Sequence, residues 1–91
     1  MANIKFRDYL NEQLKDPAFR AEFEAESTKL ESAIALSQTR EQLGLTQRQL
    51  AEMSSVPQST IARIERGDNT SMETLSKLAF AMNKKLTVGF S

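Results

Sequence analysis

The sequence has no cysteine, no histidine and no tryptophan, and only two prolines and three glycines in 91 residues. Without cysteine there is no disulfide framework and no thiolate metal site. Without histidine, the commonest general base and the commonest neutral metal ligand are both missing. No nucleophile–base constellation can be assembled from what remains, so the chain is expected not to be an enzyme, and neither a metal nor a cofactor is implied. No apolar run approaches the roughly 20 residues that span a bilayer, and nothing has the layout of a signal peptide. A cytoplasmic protein with no membrane partner is expected. Scarce Pro and Gly, with Ala, Leu, Glu, Gln, Lys and Arg abundant, favour helix throughout.

Charge of one sign is also lacking, since 12 basic residues face 12 acidic ones. A purely electrostatic nucleic-acid binder would be clearly basic. The balance is uneven along the chain. Residues 1–34 carry five basic and seven acidic groups, and residues 35–91 carry seven basic and five acidic ones. That asymmetry points to different partners for the two parts.

The most informative stretch is Thr46 to Gly67, TQRQLAEMSSVPQSTIARIERG. Thr46 with Gln49 three residues on forms a reciprocal capping box that starts a helix. Leu50, Ala51 and Met53 give this helix an apolar face. Ser54, Ser55, Val56 and Pro57 interrupt it, because Pro57 cannot continue a helix and Val56 before it is biased to extended angles. Ile61 and Ile64 form the narrow inner stripe of a second helix, and Gly67 supplies a left-handed stop. The outward face of that second helix carries Gln58, Ser59, Thr60 and Arg63, none of them acidic. Gln and Arg are side chains that reach two atoms on one base edge in the major groove. A positioning helix followed by a reading helix is the layout of a helix-turn-helix. Gln47 and Arg48 open the first helix, where backbone N–H groups can hold a phosphate. Asn69 and Thr70, before the following helix, are a further candidate backbone contact.

The rest of the chain frames this unit. Ile4 to Leu14 places Phe6, Tyr9, Leu10 and Leu14 at helical spacing. Asp16-Pro17 reads as an N-cap followed by Pro at the first helical position. Phe19 and Phe23 then lie one turn apart on a second helix whose outer face carries Glu22, Glu24 and Glu26. Four of the six aromatic residues therefore fall in the first 23 positions, an apolar load suited either to a satellite core or to a docking surface. Thr28 with Glu31 makes another capping box, which places a bend near Ser27, although nothing between Pro17 and Leu43 forbids one continuous helix. Ala33, Leu36, Arg40 and Leu43 share the inward face of the next stretch, and a buried Arg40 needs a partner. Gly44 ends this helix. Thr70 or Ser71 caps another, with Met72, Leu75, Leu78, Ala79 and Met82 as its core stripe, and Met53, Met72 and Met82 are expected as core filler. Lys85 to Phe90 alternates, with Leu86, Val88 and Phe90 on one face, as a strand does. A lone strand leaves its backbone groups on an open edge. Antiparallel pairing with the same strand of a second copy, about a two-fold axis, is the expected solution.

Arg40-Glu41-Gln42-Leu43-Gly44-Leu45-Thr46-Gln47, then Gln49-Leu50-Ala51, Ile61 and Ile64-Glu65-Arg66-Gly67, resemble the XRE-type (phage Cro/repressor) DNA-binding domain. The resemblance runs from about Ala33 to Met82. It implies that Gln47 ties the reading helix to a phosphate, that Gln58, Ser59 and Arg63 face bases, and that Arg40 pairs with Glu65 inside the fold. Two positions depart from the family. Ser55 stands where the tight turn usually has Gly, and Pro57 stands where Ser or Thr usually caps the reading helix. The short helix, the Asp-Pro-x-Phe start and the Glu-rich helix ahead of such a domain, with a strand after it, resemble the HigA-type antitoxins. That likeness implies a small basic HigB/RelE-type ribonuclease toxin as partner, docking on Phe6, Tyr9, Leu10, Phe19 and Phe23.

The expectation is therefore an all-α fold. A five- or six-helix lambda-repressor-like helix-turn-helix domain over residues 28–84 follows an N-terminal helical extension over 1–27 and precedes one β-strand over 85–91 for dimerisation. The expected function is sequence-specific repression from double-stranded DNA with a palindromic operator, as a homodimer. The alternatives are a phage- or host-type repressor with no toxin partner, and an interaction module that no longer binds DNA.

Overall fold

The computed structural model describes residues 2–88, with side chains from Phe6 onward, and contains five helices. These are α1 (Ala2–Gln13), α2 (Pro17–Gln42), α3 (Gln47–Ser54), α4 (Gln58–Glu65) and α5 (Met72–Ala81). Helix α2 packs on α4, and α3 packs on both α4 and α5. Leu50, Ile61, Ile64 and Leu78 are the most deeply buried side chains, and Leu36, Val56 and Met82 complete the core. The core thus lies wholly between the second half of α2 and the three short helices.

Helix α2 is a single 26-residue element. Asp16 caps it, its carboxylate accepting the Ala18 N–H at 3.0 Å, and Pro17 occupies the first turn, where its missing N–H costs nothing. The helix is not interrupted near Ser27 to start a new one at Thr28, and the reason is visible in the Thr28 side chain. Its hydroxyl donates to the Glu24 carbonyl, one turn back, at 2.9 Å. Engaged inside the running helix, it does not cap a new one. A helix of this length reaches about 39 Å at 1.5 Å per residue. It extends the molecule to 47 × 28 × 21 Å. The radius of gyration is 16.3 Å, against about 12 Å for a compact domain of this length.

Several inward assignments are corrected by the packing. Leu43 is exposed, because α2 ends at Gln42 and Leu43 caps it as the chain turns into the left-handed Gly44. Met53 is exposed because Leu50, Ala51 and Ser54 set the inward direction of α3, which leaves Met53 on its flank. Met72 opens α5 one turn beyond the core and is also exposed, so of these three methionines only Met82 is buried. Val56, read from the sequence only as a helix breaker, is a core residue.

No strand is present among the described residues. Residues 84–88 are irregular, with Leu86 half-buried and Val88 exposed beside the groove between α2 and α5. An isolated segment has no second backbone to complete a ladder, so alternation alone does not make it a strand. Phe90 lies outside the described residues.

Candidate nucleic-acid interface

Helix α3 begins with both halves of the capping box in place. The Gln49 N–H donates to the Thr46 hydroxyl at 3.0 Å, and the Thr46 N–H donates to the Gln49 side-chain oxygen at 2.8 Å. It ends at Ser55, which takes the left-handed conformation (φ 61°, ψ 22°) usually reserved for glycine. The turn is held on both sides. Ser54 donates its hydroxyl to the Leu50 carbonyl at 2.7 Å and accepts the Val56 N–H at 3.2 Å, while the Val56 side chain is buried below. Pro57 then caps α4 without a side-chain hydrogen bond, its carbonyl accepting the Thr60 N–H at 3.0 Å.

A second constraint fixes α4 from its far end. Arg40, at the last turn of α2, donates from Nε to Glu65 Oε2 at 2.7 Å and from Nη2 to Glu65 Oε1 at 2.9 Å. Its Nη1 donates to the Leu45 carbonyl at 2.8 Å. Gln47 Nε2 adds a third donor to the same carboxylate at 3.1 Å. The two charged side chains are only 13% and 9% exposed. Four segments therefore meet at the Arg40–Glu65 pair: the end of α2, the Leu45 loop, the start of α3 and the end of α4. Burial pushes the Glu65 carboxyl upward, but the hydrogen bonds from Arg40 and Gln47 and the Arg40 charge outweigh it, so the group sits below the usual carboxylate range. The hydrogen bond to Glu65 is the main cause that holds the Arg40 guanidinium above its ordinary value.

With α4 held in this way, Ile61 and Ile64 point into the core, and Gln58, Ser59 and Arg63 are exposed, with Thr60 half-buried. Arg63 donates to the Thr60 hydroxyl at 3.3 Å and has no acidic partner among the described residues. Arg66, three positions on, is also exposed and likewise has none. It was not singled out from the sequence, although its spacing from Arg63 was a usable signal. Arg48 is exposed and lies 3.5 Å from Glu52 in an i,i+4 pair. Gln47 is half-buried, its amide engaged by Glu65; helix geometry leaves the first N–H groups of α3, those of Gln47 and Arg48, without intrahelical acceptors. Asn69 accepts the Thr70 N–H at 3.1 Å, and Ser71 caps α5 through the Thr74 N–H at 3.1 Å. The Asn69 and Thr70 pair sits on the loop just after α4.

The residues assigned to docking lie elsewhere. Phe6 is 66% exposed and Tyr9 62%. Leu10 is half-buried, and Phe19 stacks on Phe23 with ring centroids 6.3 Å apart. None of the five belongs to the core.

Two short helices joined by a tight left-handed turn, the second with an acid-free polar face outward, define a helix-turn-helix DNA-binding domain. The helix-turn-helix family matches residues 36–88, more than half of the chain, and the chain belongs to that family. It is also similar to an uncharacterised HTH-type transcriptional regulator of Haemophilus influenzae, 47% identical over 51 residues. That match covers 55% of this chain and 52% of the relative, so the chain spans about half the length of the curated relative it matches. No solved structure matches the chain. Among the described residues no helix is long and apolar enough to cross a membrane.

Proposed function

We propose that the protein is a sequence-specific double-stranded DNA-binding transcriptional repressor that acts as a homodimer on a palindromic operator. We further propose that it is the antitoxin of a HigB/RelE-type ribonuclease toxin. The observation that carries the DNA reading is the exposed, acid-free face of α4, held by the Arg40, Gln47 and Glu65 network. A reading helix must be rigid to present side chains in register with base edges. Gln58, Ser59, Thr60 and Arg63 supply base discrimination. Gln47, Arg48, Asn69 and Thr70 take phosphates and set register. The Haemophilus relative, described as an HTH-type transcriptional regulator, supports the same reading.

The antitoxin reading draws on the exposure of Phe6, Tyr9 and Phe23. The rival repressor without a toxin needs these aromatics packed on their own domain. Pairing of residues 85–91 with a second copy would set two reading helices at fixed spacing, with Leu86, Val88 and Phe90 at the interface.

A salt series on a bound duplex tests the DNA reading. The logarithm of the affinity should fall steeply and linearly with the logarithm of salt concentration, with a slope set by the number of phosphate contacts. An interaction module that has lost DNA binding gives no such slope. Removal of residues 85–91 should leave monomers by light scattering, and an unchanged dimer mass would count against strand pairing.

A further inference from the structure

Helix α2 carries more apolar surface than either the core or the docking residues use. Leu30 is 57% and Ile34 46% exposed, and neither joins the core. At 100° per residue, Phe19, Phe23, Leu30 and Ile34 fall within an arc of about 60°, and the stripe runs about 22 Å along the helix. This arc lies beside the face through which Ala33, Leu36 and Arg40 meet the domain, so folding leaves it open. We propose that the stripe, through Leu30 and Ile34, is a docking surface for a basic protein that presents an apolar ridge between cationic side chains. The inference rests on the antitoxin reading and extends its docking surface past residue 27, onto the helix whose last turn clamps α4.

Charge chooses the occupant. Glu22, Glu24, Glu26 and Glu31 surround the stripe, against Arg20 and Lys29, and both cations are already taken, by Glu24 at 3.0 Å and Glu26 at 3.1 Å. The rim is therefore net acidic. A second copy is the poorer fit, because it would bring two net-acidic rims together. A basic partner neutralises the same carboxylates and gains steering from them.

The test uses the full chain and two 18-residue amphipathic helical peptides as probes, one with Leu and Lys and one with Leu and Glu, by fluorescence anisotropy. The Lys peptide should bind and the Glu peptide should not. The double change Leu30→Ser with Ile34→Ser should weaken Lys-peptide binding by about tenfold, as expected for apolar area lost from an interface. Both positions are exposed, so the melting curve and DNA affinity should stay unchanged. Equal binding of both peptides, or undiminished binding by the Ser variant, overturns the proposal. If Phe6→Ala with Tyr9→Ala loses the peptide while the Ser variant keeps it, docking on residues 1–27 stands and the extension falls. If neither variant loses it, both fall. Concentration-dependent dimers abolished by the Ser changes would assign the stripe to a second copy instead and also overturn the proposal.

Discussion

Helix α4 and the first 23 residues make opposite use of apolar side chains. Helix α4 has only Ile61 and Ile64 to offer, and both are almost completely buried. The first 23 residues hold four aromatics, yet Phe6, Tyr9 and Phe23 remain exposed. Burial is therefore decided by what a face meets, not by how apolar it is. The stripe of α4 is closed by α2 and α3, while among the described residues the aromatic stretch contributes nothing to the core. The same contrast divides α2, whose second half buries Ala33 and Leu36 while its first half is almost entirely solvated.

The sharpest way to break this contrast is to remove one partner of the part-buried Arg40–Glu65 pair. Glu65→Ala strands the Arg40 guanidinium and should cost on the order of 3–5 kcal/mol by urea unfolding. Phe6→Ala, despite its larger loss of apolar surface, should stay within about 0.5 kcal/mol. Equal costs for the two would mean that the aromatics pack after all.

Acid should act in the same direction. The Glu65 carboxyl is held below its ordinary value of 4.5. Above that value its contribution to stability is complete. As pH falls further, the unfolded carboxylate protonates first, and the contribution is lost as pH drops through the folded value. Unfolding midpoints between pH 7 and pH 3 should decline more steeply in the wild type than in Glu65→Ala. Parallel curves would remove Glu65 from the account.

A smaller effect probes the turn. Ser55 bears a left-handed conformation that costs a non-glycine residue roughly 1–2 kcal/mol. Ser55→Gly relieves it but frees the unfolded chain, so a net gain of about 0.5–1 kcal/mol is expected. Destabilisation by this change would show that the Ser55 side chain contributes more than the geometry indicates.

Much of the helix-turn-helix was legible in residue types. The capping box at Thr46, the break at Pro57 and the stop at Gly67, whose φ is 97°, are local signals with local causes. What stayed hidden depends on distant partners. Thr28 has the residue type of a cap but spends its hydroxyl on Glu24. Val56 looks like punctuation and is core, because the turn folds back over α3. Met53, Met72 and Leu43 fit the periodicity but lie at the edges of their faces. At the site, spacing selected the outward residues of α4, but not that the Gln47 amide leans on Glu65, a contact between positions 18 apart.

The central claim is that the outward face of α4 reads base edges. It is tested most directly by selection from random duplexes with the wild type, Arg63→Ala and Gln47→Ala. The wild type should enrich one palindromic site. Arg63→Ala should lose discrimination worth roughly 1–3 kcal/mol at one position in each half-site. Gln47→Ala should keep the same site with uniformly weaker binding. If Arg63→Ala enriches an unchanged site while Gln47→Ala alters it, the roles assigned to the two helices are contradicted.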